Sequence, residues 1–129
     1  MTVERRTVES LFPPPAYAHV AVARGQLVFT AGAVPVDVDG ELVGREDAAA
    51  QTRQVIANLL EQLAAGGASA ADVAKTTVYV VADDPALLST VWDVVRESAL
   101  AGAPSTLLGV SALGYRGQLV EIEAVAVIA

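Results

Sequence analysis

Two stretches of helical periodicity, the first followed by a run rich in β-branched residues over 73–82, narrow the folds open to this chain more than any other feature. Val55, Ile56, Leu59, Leu60 and Leu63 recur at helical spacing and form one apolar face. Leu87, Leu88, Val91, Trp92 and Val95 repeat the pattern. Both stripes, Trp92 included, read as core. The first helix has Asp47 as an N-cap and Gly66-Gly67 as its stop. The second is announced by Asp83-Asp84-Pro85, an acceptor followed by proline at the first helical position, and is closed by Ala101-Gly102. Strands are predicted over 73–82, 106–113 and 119–128. Earlier strands are predicted over 17–23, 27–31 and 34–38, the last returning over 41–43 through the hairpin signal Asp39-Gly40. Residues 1–15, closed by Pro13, Pro14 and Pro15, read as an N-terminal arm. The whole, 1–129, is one domain of the α/β (α+β) class: a two-layer unit with a mixed sheet covered on one face by two helices. The other sheet face has no helix left to cover it, and its strands are still apolar. A second subunit is the economical cover.

Composition limits the chemistry. The chain has no Cys and one His, which excludes a disulfide scaffold, a thiol nucleophile and Cys- or His-rich metal centres. A net charge of −7 is poorly suited to following phosphates, so nucleic acid is an unlikely partner. Mean hydropathy is high at +0.49. A membrane span does not account for it. The longest charge-free stretch, 98–115, is broken by Gly102, Pro104, Gly109 and Gly114. No signal-peptide h-region follows Met1, so a soluble cytoplasmic protein is expected. The apolar surplus is assigned to an oligomer interface, which resembles a core cut in half.

Strand alternation in the last strand puts Val120, Ile122, Ala124, Ala126 and Ile128 on one face. Leu119, Glu121, Glu123, Val125 and Val127 take the other. Two carboxylates then stand about 7 Å apart on a face that is apolar at both ends. A half-buried carboxylate can act as general acid or base; solvated residues at a sheet margin are the plainer alternative. Tyr17 and His19 share a face of the first predicted strand. No catalytic triad and no Gly-rich phosphate loop is present, and Arg53 reads as a solvated or interface charge.

Four segments stand out: Phe29-Thr30-Ala31-Gly32-Ala33-Val34-Pro35-Val36, Ala49-Ala50-Gln51-Thr52-Arg53-Gln54, Asp72-Val73-Ala74-Lys75-Thr76-Thr77-Val78-Tyr79-Val80 and Val120-Glu121-Ile122-Glu123-Ala124. Together, over nearly the whole chain from Pro15, they resemble the RidA (YjgF) family of reactive-intermediate imine deaminases. The resemblance implies a chorismate-mutase-like fold and a barrel-shaped homotrimer, sheets inward and helices outward, with ligand clefts between subunits. It implies no metal and no organic cofactor. In the family a tyrosine, an arginine after Pro-Ala and the first glutamate of Glu-Ile-Glu line the cleft. The arginine clamps the substrate carboxylate, water attacks the imine carbon, and ketoacid and ammonia leave.

Tyr17 matches that tyrosine, as a hydrogen-bonding wall, and Glu121 matches the glutamate, which positions water. The arginine is missing. Ser105 stands in its place, or Thr106 if the alignment shifts by one residue. A hydroxyl supplies neither charge nor a bidentate fork. Losing a charge-assisted contact to a carboxylate lowers affinity on the order of 10²-fold. Arg116, in the turn before the last strand, is the candidate substitute cation. Three readings follow: a deaminase with an altered substrate, a metabolite-binding trimer without turnover, and, disfavoured by the charge, an RNA-cleaving relative.

Overall fold

In the computed structural model, which describes residues 2–129, both apolar stripes form helices. Helix α1 (Ala48–Ala65) begins at Asp47, whose carboxylate accepts the Ala50 amide at 3.0 Å and satisfies one of the unpaired N–H groups of the first turn. It ends at Gly66, whose amide returns to the carbonyls of Gln62 and Leu63. Helix α2 (Pro85–Arg96) is capped by Asp84, which accepts the Ala86 amide at 2.7 Å. Pro85 stands where no intrahelical N–H is needed.

Among the described residues six strands accompany them: β1 (Val3–Arg6), β2 (Val20–Ala23), β3 (Gln26–Phe29), β4 (Val73–Val81), β5 (Ser105–Val110) and β6 (Val120–Ile128). The main sheet has the order β3-β6-β4-β5. β4 and β5 run parallel, which is why α2 must cross between them; the other pairings are antiparallel. Both helices lie on one face. Val55, Leu59 and Leu63 of α1 and Val91 and Val95 of α2 pack with Val78, Val80, Val120, Ile122, Ala124 and Ala126 into one core, all almost fully buried. The alternation expected of β6 is therefore real: its even-numbered residues from Val120 to Ala126 are buried, and Glu121, Glu123 and Val125 are half-buried on the open face.

Three expectations change. The arm is not wholly free. Val3–Arg6 pairs antiparallel with β2, Val3 is buried, and the Arg5 guanidinium donates to the carbonyls of Ala70 (2.9 Å) and Val73 (3.0 Å). Burial there pulls the Arg5 pKa below its ordinary value. The strand predicted from residue 17 starts at Val20 instead. Ala16, just before the predicted run, adopts φ +67° in the left-handed region, and β2 and β3 belong to different sheets. The hairpin around Asp39-Gly40 shrinks to a single bridge, Val36 with Leu42. The Asp37 carboxylate accepts the amides of Asp39 (2.9 Å) and Glu41 (3.0 Å), and backbone bonds from Asp37 to Glu41 and from Val43 to Pro35 help close the turn.

Among the described residues neither helix covers the second face of the main sheet, although Val127 at the end of β6 is buried. Leu27 and Phe29 on edge strand β3 are 57% and 70% exposed there. None of the helices is long and apolar enough to cross a membrane.

Candidate functional site

Glu121 stands opposite Tyr79 on the open face, and its carboxylate is held in place. Gln118 is almost fully buried; its Nε2 donates to Glu121 Oε1 at 3.1 Å and to the Val120 carbonyl at 3.0 Å. Its Oε1 accepts the Tyr115 amide at 3.1 Å. The carboxylate also lies against Gly32. A Cβ at that position would overlap Oε2 and stand 2.6 Å from Cδ and 2.8 Å from Cγ. Glycine is needed here for close approach, not for backbone freedom. Residues on either side of Gly32 are tied to β6: Thr30 N–H donates to the Ala124 carbonyl, and Ala33 exchanges both backbone bonds with Ile122, at 2.7 and 3.2 Å.

A second buried glutamine fixes the turn that carries Gln118. Gln51, fully buried on α1, donates to the carbonyls of Gly44 (3.1 Å) and Gly117 (3.0 Å) and accepts the Leu119 amide at 2.7 Å. Arg116 rides on this turn. It is exposed and makes no ion pair among the described residues.

Glu123 sits opposite Thr77 and receives the Tyr79 hydroxyl at 2.5 Å. That hydrogen bond, with burial and the charges of Glu123 and Glu121, pushes the Tyr79 pKa above its ordinary value. On the same face Lys75 Nζ donates to Thr106 Oγ1 at 2.6 Å.

Tyr17 and Ser105 meet elsewhere. With Pro15, Trp92 and Leu107 they line a cleft of about 260 Å³. Trp92 packs against the core, as its stripe predicts, and also forms a wall of this cleft. It is only partly buried, and its Nε1–H donates to the Pro15 carbonyl at 2.9 Å. The indole needs an acceptor, and the proline-rich segment supplies one. Tyr17 packs edge-on to Trp92 (6.1 Å) and to His19 (6.3 Å). His19 Nδ1 accepts the Val8 amide at 2.9 Å, which leaves the Nε2–H to donate to the Phe12 carbonyl at 3.0 Å. His19 is thus engaged in holding the β1–β2 loop. Ser105 Oγ accepts from Thr76 Oγ1 at 2.8 Å.

The register of β5 decides between the two alignments in physical terms. Ser105 and Thr106 are adjacent on a strand and so point to opposite faces. Ser105 joins Tyr17 on the helix side; Thr106 joins Lys75 on the open side. Within one chain, Tyr17 and Ser105 come together, Glu121 stands apart across the sheet, and Arg116 reaches neither group. Among the described residues no three His, Asp or Glu side chains are grouped to hold a metal ion. A concavity of about 830 Å³ forms an outer groove between the helices lined by Arg53, Asp93, Arg96 and Glu97, and it contains none of the candidate residues. Gln118, Gly32, Gln51, Tyr79 and Lys75 were not singled out from the sequence. Their roles depend on contacts between distant segments, which residue type alone does not signal.

Residues 8–128 match the family model described as Endoribonuclease L-PSP. The chain is 33% identical over 104 residues to a 2-iminobutanoate/2-iminopropanoate deaminase of Salmonella typhimurium, covering 80% of each. It is 43% identical over 61 residues to a RutC family protein of Pyrococcus abyssi, and that match spans only about half of either protein (46% of this chain, 47% of the relative). The crystal structure of the Rid-family protein YyfB of Yersinia pestis, itself of unknown function, superposes with a TM-score of 0.89 at 35% identity, over 99% of this chain and 100% of the other. The chain therefore belongs to the Endoribonuclease L-PSP family, the RidA/YjgF proteins.

Proposed function

We propose that this protein is a cytoplasmic RidA-like homotrimer that hydrolyses reactive imines or enamines in clefts between subunits. The observation that carries the reading is the Glu121 carboxylate, pinned to Gly32 by Gln118 on a sheet face that is otherwise open. A fixed carboxylate beside open space is what is needed to orient a water. In the reaction, a water oxygen bonds to the imine carbon while Glu121 takes its proton. That proton passes to nitrogen and gives a carbinolamine; Glu121 then takes the hydroxyl proton as the oxygen forms the C=O bond and delivers it to the leaving nitrogen as the C–N bond breaks, so that a carbonyl compound and ammonia leave. An enamine tautomerises to the imine first. Tyr17 serves as a hydrogen-bonding wall, and Ser105 or Thr106 contacts polar ligand atoms. The separation of the Tyr17–Ser105 cleft from Glu121 within one chain supports a site completed by a second subunit, as does the exposure of Leu27 and Phe29.

The substrate in this reading is an imine lacking the usual carboxylate, or one whose carboxylate meets another cation such as Arg116. A panel of neutral and cyclic imines, run beside carboxylate-bearing imines made by an amino-acid oxidase, tests it. Turnover concentrated on the neutral members is expected. Family-like turnover of imines from small amino acids refutes the weight placed on Ser105. Unchanged binding of an anionic ligand by Arg116→Ala in calorimetry removes Arg116 from the site, and a stable monomer in native mass spectrometry removes the trimer. The absent arginine also favours a second reading, a metabolite-binding trimer that does not turn over; it predicts binding across the panel with no carbonyl release. Cleavage of RNA is disfavoured by the charge of −7.

A further inference from the structure

Lys75 is the only lysine of the chain, and it stands on the open sheet face near Glu123 without pairing with it. The register makes them diagonal neighbours. Lys75 is opposite Val125 and Thr77 is opposite Glu123, which puts the two positions about 7–8 Å apart at the backbone. Long side chains of opposite charge readily close such a gap. These two lean away from each other: Lys75 toward Thr106 on β5 at 2.6 Å, Glu123 toward Tyr79 at 2.5 Å. Both line a pocket of about 170 Å³, together with Phe29, Thr30, Thr77, Ala124 and Val125.

Hydrogen-bond capacity remains on both sides. The ammonium has three N–H groups and uses one on Thr106. The carboxylate uses Oε1 on Tyr79, and Oε2 has no protein donor among the described residues. Thr77 adds a hydroxyl between the charges, and Phe29 and Val125 supply an apolar wall. A cation, an anion and an apolar wall around a space of this size match a molecule that carries both charges itself.

We propose that this pocket binds a small zwitterion of amino-acid size, with its carboxylate on Lys75 and its ammonium on Glu123 Oε2. The site is separate from the Glu121 carboxylate, which faces Gly32 and Gln118. Charged groups on the open face also mean that it makes a wet cavity in any assembly, not a dry interface. Three equivalent pockets then line the centre of the proposed trimer.

The test is amide-shift mapping by NMR with glycine and β-alanine as probes, and acetate and methylammonium as single-charge controls. One of the zwitterions is expected to shift the amides of Phe29, Thr30, Thr77 and Val125 saturably at millimolar concentration. Each control binds at least about tenfold more weakly. Lys75→Met and Glu123→Gln each weaken the zwitterion by at least about tenfold, Lys75→Arg retains it, and Glu121→Gln leaves it in place. The charge-retaining Lys75→Arg keeps the test decisive if Lys75→Met does not fold. Absence of saturable shifts, equal binding of acetate, or binding indifferent to Lys75→Met and Glu123→Gln overturns the proposal. Loss of binding in Glu121→Gln with retention in Glu123→Gln moves the site to Glu121 and also overturns it. None of these readouts requires turnover, so failure of the deaminase reading leaves the result interpretable.

Discussion

Replacing Gly32 by alanine should separate stability from function at Glu121. The new methyl would occupy the space of the Glu121 carboxylate, overlapping Oε2 and approaching Cδ at 2.6 Å. Those atoms are the far end of a flexible side chain, so they can move. The backbone of Gly32 is not in the left-handed region, so alanine fits it without strain. Moving the carboxylate gives up the 3.1 Å hydrogen bond from Gln118, while Gln118 keeps its bond to the Val120 carbonyl. The displaced, half-buried carboxylate regains water, so the loss is about 1 kcal/mol. The smaller entropy of an alanine-containing unfolded chain returns about 0.4–1 kcal/mol. The net change lies between zero and about 0.6 kcal/mol, a fall in Tm of no more than about 4 °C. Turnover should drop far more, on the order of 10²-fold in kcat/KM, because a misplaced base cannot orient water. Thermal unfolding and imine hydrolysis on the same preparation give both numbers. A destabilisation above about 3 kcal/mol would mean that the methyl strikes something immovable. Unchanged turnover would mean that the position of Glu121 does not matter. Either result refutes the reasoning.

Gln51→Leu should be much more damaging to stability. It leaves the Gly44 and Gly117 carbonyls and the Leu119 amide without their partner at a fully buried position, for a loss of about 2–4 kcal/mol measurable by chemical denaturation. Tyr79 should shape the alkaline limit of stability. Its hydroxyl is held protonated first by Glu123, then by burial and nearby negative charge, so its folded pKa lies above the ordinary value near 10. The folded state then keeps a proton that the unfolded state releases. The stabilisation is full below about pH 10 and is lost as pH rises through the folded value. Tyr79→Phe should flatten that loss in denaturation curves compared at about pH 8 and about pH 11.

Local signals were legible in the sequence and non-local ones were not. Asp47 and Asp84 cap the helices as expected, since a cap needs only its neighbours along the chain. The alternation of Val120 to Ala126 was equally readable. The partners of Glu123 and Glu121 were not. Tyr79 is 44 residues from Glu123, and only the β4–β6 register joins them. The same holds for Ser105 and Thr106, whose opposite orientations follow from where β5 begins. Trp92 lies on a correct apolar stripe and packs against the core, but its N–H meets the Pro15 carbonyl, 77 residues away, and no local signal marks that contact. β1 escaped notice because Glu4-Arg5-Arg6 has no apolar alternation, and its partners, β2 and the carbonyls that bind Arg5, lie far along the chain.

The most direct test of the central claim is the release of carbonyl product and ammonia from a neutral imine by the wild-type chain and by Glu121→Gln. The account predicts clear acceleration by the wild type. It predicts a fall in kcat on the order of 10²-fold or more in Glu121→Gln, with KM little changed, because the amide keeps the shape of the carboxylate and loses its basicity. Equal rates for the two proteins, or no acceleration by the wild type on any imine, would contradict it.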